Sequence, residues 1–235
     1  MSLDGTARRL LLLAVSLTFA RSALATPTAL NCVPTADVVG RDSYTVEVEA
    51  VGHTTPFDRG AEYWLLTGLG LGDRAEVGAN RLLSRGDGRT SVDAKLQLLR
   101  REGGDFAVAV GATDLTRWDR DSSAWYVVGS RDCGAIRATV GLQRDSNYRM
   151  LVGFAHSLTD KLCLQADWTT GTEGDATVGL GLELGGGWQA LTYYARSNSS
   201  RSDDFFGLNF AWNGQWCRRC ESPEAGATLP GTPDR

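Results

Sequence analysis

Residues Glu62 to Asn80 read EYWLLTGLGLGDRAEVGAN, with Gly68, Gly70 and Gly72 at alternate positions, an apolar run before them and Asp73-Arg74 after. The spacing raises a nucleotide-binding loop, but such a loop sets its glycines on a turn that opens a helix, so that backbone N–H groups converge on an anion. Here the glycines lead instead into Ala75-Glu76-Val77-Gly78-Ala79-Asn80, which alternates in polarity with period two. The stretch is therefore a hairpin. One strand covers Tyr63 to Gly72, Gly72-Asp73-Arg74 makes a tight turn where glycine and aspartate tolerate positive φ, and a second strand covers Ala75 to Leu83. Leu65, Leu69 and Leu71 share one face of the first strand and the three glycines leave the other face bare.

The same period runs through the chain from Ser43 to Asn213, in twelve segments, and almost nowhere gives way to a period of 3.6. In each segment one face is apolar for nearly its whole length: Val92, Ala94, Leu96 and Leu98 in the fourth, Val178, Leu180, Leu182 and Leu184 in the tenth. The opposite face is small or polar. Most segments approach the roughly 9 to 11 residues with which a tilted strand crosses a bilayer. Short connections (Gly72 to Arg74, Arg101 to Asp105, Arg131 to Gly134, Leu158 to Lys161, Gly185 to Gly187) alternate with mostly longer polar ones. Tyr63, Trp64, Trp125, Tyr126, Tyr148, Trp168, Trp188, Tyr193, Tyr194, Phe206, Phe210 and Trp212 cluster near segment ends, the height of an interfacial aromatic girdle. Together these predict a closed antiparallel transmembrane β-barrel of about twelve strands in an up-and-down meander, because an unpaired strand edge in hydrocarbon is too costly to leave open. A soluble secreted or periplasmic β-barrel that binds a ligand is the alternative, with the apolar face turned inward.

The N-terminus sets the compartment. Arg8 and Arg9 precede an apolar run from Leu10 to Ala20, and Ala23-Leu24-Ala25 supplies a small-x-small cleavage site, so residues 1–25 read as a secretory signal peptide. Residues 26–42 are then a periplasmic N-terminal arm, 43–213 an outer-membrane barrel, and 214–235 a tail expected to be disordered. The chain carries 24 basic and 28 acidic residues, net −4, and loss of Arg8, Arg9, Arg21 and Asp4 with the signal makes it more acidic still. Without basic runs, nucleic acid is not an expected partner.

Pro34-Thr35-Ala36-Asp37-Val38, then Tyr44-Thr45-Val46-Glu47, the hairpin LGLGDRAEVG, and FAVAVGATDL with AWYVVGSR downstream give residues 34–213 a resemblance to bacterial outer-membrane barrels of the YjbH-like type. That porin-like family is linked to exopolysaccharide production or export. The resemblance implies an outer-membrane channel or envelope component in contact with lipid, passing or handling a small solute or polysaccharide.

Inward parity assigns Glu76, Asn80, Asp93, Lys95, Gln97, Arg101, Arg137, Gln143, Gln165, Asp167, Glu183 and Asn209 to the lumen. Twelve strands lie between barrels filled by side chains and those that leave a channel, so the pattern allows either a pore or a plug. Cys32, Cys133, Cys163, Cys217 and Cys220 all fall at the periplasmic rim in this arrangement, where disulfides such as Cys133–Cys163 or Cys217–Cys220 are permitted. No metal site or cofactor is expected. His156-Ser157 invites comparison with barrel phospholipases, yet adjacent strand residues point to opposite faces, so no enzyme is expected. Two loops, Ser84 to Arg89 with its R-G-D and Arg117 to Asp121, read as solvated.

Overall fold

A computed structural model describes residues 28–84, 90–101, 105–116, 123–199 and 204–216. Twelve strands run in chain order: β1 (Ser43–Gly52), β2 (Glu62–Leu71), β3 (Ala75–Leu82), β4 (Thr90–Arg100), β5 (Phe106–Thr113), β6 (Ala124–Cys133), β7 (Ile136–Arg144), β8 (Tyr148–Ser157), β9 (Leu162–Thr169), β10 (Asp175–Gly185), β11 (Trp188–Ser197) and β12 (Phe205–Gln215). Each pairs antiparallel with its sequence neighbours, and β1 closes on β12 from Ser43↔Gln215 to Gly52↔Phe206. No strand edge is left open, which is the condition for a sheet surrounded by hydrocarbon.

The distribution of side chains inverts that of a soluble protein. Val48, Leu96, Val140, Met150, Val178, Leu184 and Phe210 are exposed on the outside, while Thr45, Glu47, Gln97, Thr139, Gln165, Asp167 and Asn209 are buried inside. Leaving a Val, Leu or Phe in water forfeits about 1.5–3 kcal/mol each. An outer face covered with them is built for lipid. The aromatics complete the band. At the short-turn rim Tyr44 lies 5.4 Å from Trp212 and 5.5 Å from Trp216, and Trp188 lies 6.2 Å from Trp212. At the other rim Tyr194 meets Phe206 at 5.0 Å and the Trp168 indole donates to Asn198 Oδ1 at 3.1 Å.

The hairpin from Glu62 to Asn80 forms as expected. Trp64 to Leu71 pair with β3 across a turn in which Gly72 takes a φ of 75°. Three differences from the sequence reading have local causes. β6 runs on to Cys133, so the turn after it shrinks to Gly134-Ala135. Of the expected girdle aromatics, Tyr126 and Tyr193 are buried inside the barrel, and Trp64 pairs across the strands with inward Glu49 and Leu82. A bulge between Gln97 and Leu99 slips the parity of β4 by one residue. Leu98 and Leu99 therefore both lie outward and exposed.

The N-terminal arm, expected over residues 26–42, is described from residue 28, and residues 28–40 fold up inside the barrel. A two-sided turn is closed by Leu30 N–H donating to the Val33 carbonyl at 2.8 Å, Thr35 N–H donating to the Thr28 carbonyl at 2.9 Å, and a bridge between Ala29 and Pro34. The expected signal peptide (residues 1–25) and most of the expected tail (217–235) lie outside the described residues, as do residues 85–89 and 117–121 of the two loops expected to be solvated.

Candidate functional site: the lumen and the arm within it

The arm enters at the short-turn rim, where Arg41 grips Asp73 of the β2–β3 turn with bonds of 3.0 and 2.8 Å. Above this, Val39 N–H donates to Glu76 Oε2 at 2.7 Å and the Thr28 hydroxyl to Glu76 Oε1 at 2.6 Å. Lys95 faces Glu76 at 3.0 Å with both side chains buried, and its ammonium also donates to the carbonyls of Thr28 at 2.9 Å and Asp37 at 3.0 Å and to the Thr28 hydroxyl. Three ammonium protons thus have a full set of acceptors. A buried charge is tolerated only on such terms.

Asp37 meets Arg137 of β7 in a bidentate pair, Nε at 2.9 Å and Nη2 at 2.6 Å, and Arg137 Nη1 reaches Asp132 of β6 at 2.6 Å. The planar guanidinium fork fits this geometry as no ammonium does. Farther round, Gln97 donates to the Ala36 carbonyl at 2.7 Å, Ala36 N–H donates to Ser130 Oγ at 2.9 Å, and Asp167 of β9 accepts Cys32 N–H at 2.9 Å and the Thr177 hydroxyl at 2.7 Å. Asn31 donates to Thr177 Oγ1 at 2.9 Å. Strands on opposite walls are joined through one short segment.

Shape matches charge. A Cβ on inward Gly70 would collide with the Val39 and Gly40 carbonyls, one on Gly153 with Leu30 Cδ1, and one on Gly179 with Asn31 Oδ1. Three glycines on β2, β8 and β10 are thus bare where the arm needs room. Its apolar residues are buried as a small core, Val33 and Ala36 against Ala107, Ala109, Val128 and Leu151, and Leu30 against Ala155 and Cys163.

Of the residues assigned to the lumen, Glu76, Lys95, Gln97, Arg137 and Asp167 hold the arm. Gln165 is buried beside it, its backbone carbonyl 3.5 Å from Asn31 Nδ2. Asn80, Asp93 and Gln143 instead line a cavity of 340 Å³ on the long-loop side of the arm. Asn209 is buried in the far wall opposite Glu49, and Glu183 is half-buried at the short-turn end of β10. Arg101 is not in the lumen: the β4 bulge turns it outward, where it is exposed and 3.6 Å from Asp105.

Residues the parity reading missed include Glu47 and Glu49 of β1, whose alternation with Val46 and Val48 was visible in the sequence, and Tyr193, whose hydroxyl donates to Glu49 at 2.7 Å. Asp37 and Asp132 carried no such signal.

Of the three described cysteines, Cys133, exposed at the short-turn end of β6, and Cys163, buried at the short-turn end of β9, lie at the expected rim, while Cys32 sits within the lumen beside Asp167; all three thiols are free. Two strands separate Cys133 from Cys163, a span of roughly 14 Å at ordinary strand spacing, twice what a disulfide bridges. Cys217 and Cys220 lie outside the described residues. Among the described residues no group of three or more metal-ligating side chains comes together. His156 Nδ1 contacts the Ala135 carbonyl at 3.2 Å on the outer face while Ser157 takes the inward parity, so the two form no nucleophile–base pair.

No family model matches this chain and no curated protein matches it. The YjbH likeness therefore rests on the hairpin motifs alone. Among solved structures, the KdgM porin aligns with a TM-score of 0.52 at 8% identity, covering 72% of this chain and 98% of that one. The same porin in complex with disordered oligogalacturonate gives 0.51 at 8% identity, with coverage of 72% and 98%. An outer membrane channel from Pseudomonas putida F1 gives 0.47 at 12% identity, covering 83% of this chain and 100% of that one. What the KdgM alignment shares with this chain is the fold: a closed antiparallel barrel of the outer-membrane type.

Proposed function

We propose that this chain is an outer-membrane barrel that acts as a small-solute channel held shut by its own N-terminal arm. The observation that carries the reading is the double match between arm and lumen: glycines bare where the arm passes, and the Lys95 and Arg137 charges committed to it. A barrel meant only as a solid envelope component fills its interior from its own strands. Here the filling is a separable segment anchored at one rim.

The alternating connections favour short turns and both ends of the barrel on the periplasmic side, and residues 1–25 favour export through a cleaved signal peptide. The soluble alternative is opposed by the apolar outer face. A narrower reading, passage of a polysaccharide during exopolysaccharide export, draws on the YjbH likeness and on the saccharide named with the KdgM complex; loss of secreted polysaccharide on gene deletion is its test.

Planar-bilayer recording tests the channel. The full barrel is expected to show low conductance and a variant lacking residues 28–39 a stable open level. If the deleted variant folds, as judged by heat-modifiable migration, and conducts no more than the full chain, the channel reading fails and an envelope barrel remains.

A further inference from the structure

Residues 28–40 of the arm fill the short-turn half of the lumen and rise along one wall to Asp167 and Thr177. Above the arm lies the 340 Å³ cavity, floored by its Ala29, Cys32 and Pro34 and walled by β2–β7. This is the lower end of the roughly 300–1,000 Å³ typical of small-molecule sites.

Its chemistry differs from that of the layer below. Asn80 Nδ2 is fixed by a 2.6 Å bond to Asp93 Oδ2, which leaves Asn80 Oδ1 buried with no hydrogen-bond partner among the described residues. The Gln143 amide and the Thr113 and Tyr126 hydroxyls line the same space and have no hydrogen-bond partner among the described residues. Leu66, Gly78, Ala29 and Pro34 give it an apolar side. A buried acceptor left unmade, here Asn80 Oδ1, carries a cost, and a site that adds half-exposed Thr113 and Gln143 polar groups and an apolar wall suits a molecule with hydroxyls on its edges and C–H groups on its faces.

Charge sets the second half of the inference. Lys95 reaches this cavity from below but is committed to Glu76 and the arm, so its charge is offset. Asp93 makes no ion pair among the described residues: its two oxygens accept from Asn80 and, at 2.9 Å, from Asp114 N–H, and the Lys95 charge bears on it only from beyond contact. An anion entering here meets this carboxylate, while the Lys95 charge that could offset it is already committed to Glu76 and the arm.

We propose that this vestibule binds a neutral, hydroxyl-rich solute of one or two sugar rings and disfavours sugars that carry a carboxylate. The inference names the solute of the channel read above and rests on that reading for passage, not for binding.

Saturation-transfer NMR on the full-length folded barrel in detergent, with glucose, maltose and glucuronate as probes, tests it. Glucose or maltose is expected to receive saturation, with glucuronate at least tenfold weaker. The Asn80→Leu/Gln143→Leu variant is expected to lose the glucose or maltose signal while keeping heat-modifiable migration, and Asp93→Asn to bring glucuronate up towards glucose. Absence of transfer to both neutral probes, transfer unchanged in Asn80→Leu/Gln143→Leu, or glucuronate equal to glucose in the unaltered chain each overturns the proposal. Bilayer recordings on the same preparations separate the two readings: binding without conductance after arm deletion removes the channel alone, and conductance without binding removes the vestibule alone.

Discussion

The two halves of the lumen are lined by the same kinds of residue and behave differently. Around the arm, Glu76, Lys95 and Arg137 in the short-turn half and Asp167 higher on β9 all have partners on it, and Leu30, Val33 and Ala36 are packed to near-zero exposure. In the long-loop half, Asn80 Oδ1 and the Gln143 amide face an open cavity with nothing to bond among the described residues. An inward polar residue on a barrel strand therefore has two uses, to hold a plug or to meet a solute, and parity along the strand does not tell them apart. The partner does.

The largest effect should come from removing the fit itself. Gly70→Leu places a side chain where the Val39 and Gly40 carbonyls pass, so the arm cannot keep its course. We expect conductance close to that of the arm-deleted barrel, together with protease sensitivity of residues 28–40, while the barrel's heat-modifiable shift is retained. A Gly70→Leu barrel as closed as the unaltered one would mean that the arm does not seal the lumen.

Next is the buried pair. Lys95→Met leaves Glu76 buried without its cation, and breaking a buried pair from one side costs about 3–5 kcal/mol, more than a hundredfold in the ratio of docked to undocked arm. Adding Glu76→Gln should recover part of the loss, because the amide oxygen can still accept a hydrogen bond and no charge is stranded. Single-channel open probability reads this directly. A smaller effect is expected of Arg137→Lys, which keeps the charge and loses the fork to Asp37 and Asp132; about 1–2 kcal/mol is a fair scale for the lost charge-assisted bonds. If the Arg137→Lys variant holds the arm as firmly as the unaltered chain does, then charge alone and not geometry secures that wall.

How far the sequence foretells this comparison differs between the barrel and its contents. Strand alternation and turn chemistry are local, so the hairpin from Glu62 to Asn80 is legible. Errors enter where a local rule is broken once. One bulge at Gln97/Leu99 sends Arg101 to the outside, and the assumption that rim-height aromatics face lipid fails for Tyr126 and Tyr193, which lie over inward Gly111 and Gly207. The arm is a different case. Its contacts join residues such as Asp37 and Arg137, a hundred positions apart, and no periodicity within residues 28–40 reports them. The trace it leaves is negative: Gly70, Gly153 and Gly179 are unexplained bare positions until the segment that fills them is known.

The rim offers the mildest way to separate the two halves. In the loop between β1 and β2, the Asp58 carboxylate accepts the Thr54 N–H at 2.8 Å and the Thr54 hydroxyl at 3.2 Å. The Thr54 N–H, with help from those of His53 and Thr55, holds its carboxyl below the usual carboxylate range despite some opposing desolvation. A depressed carboxylate stabilises the folded loop above its unfolded value of about 4, and that contribution fades as pH falls through the lower folded value. Acid should therefore loosen this loop, on the vestibule's side of the barrel, before it disturbs the arm at the other end. Hydrogen exchange at Thr54 and Thr55 is expected to rise below about pH 4 in the unaltered chain and to lose that pH dependence in Asp58→Asn, with the amides of residues 33–39 unchanged in both. Equal acceleration in the loop and the arm would show that the two ends of the lumen open together, and the division between a sealed half and a receptive half would then hold only at neutral pH.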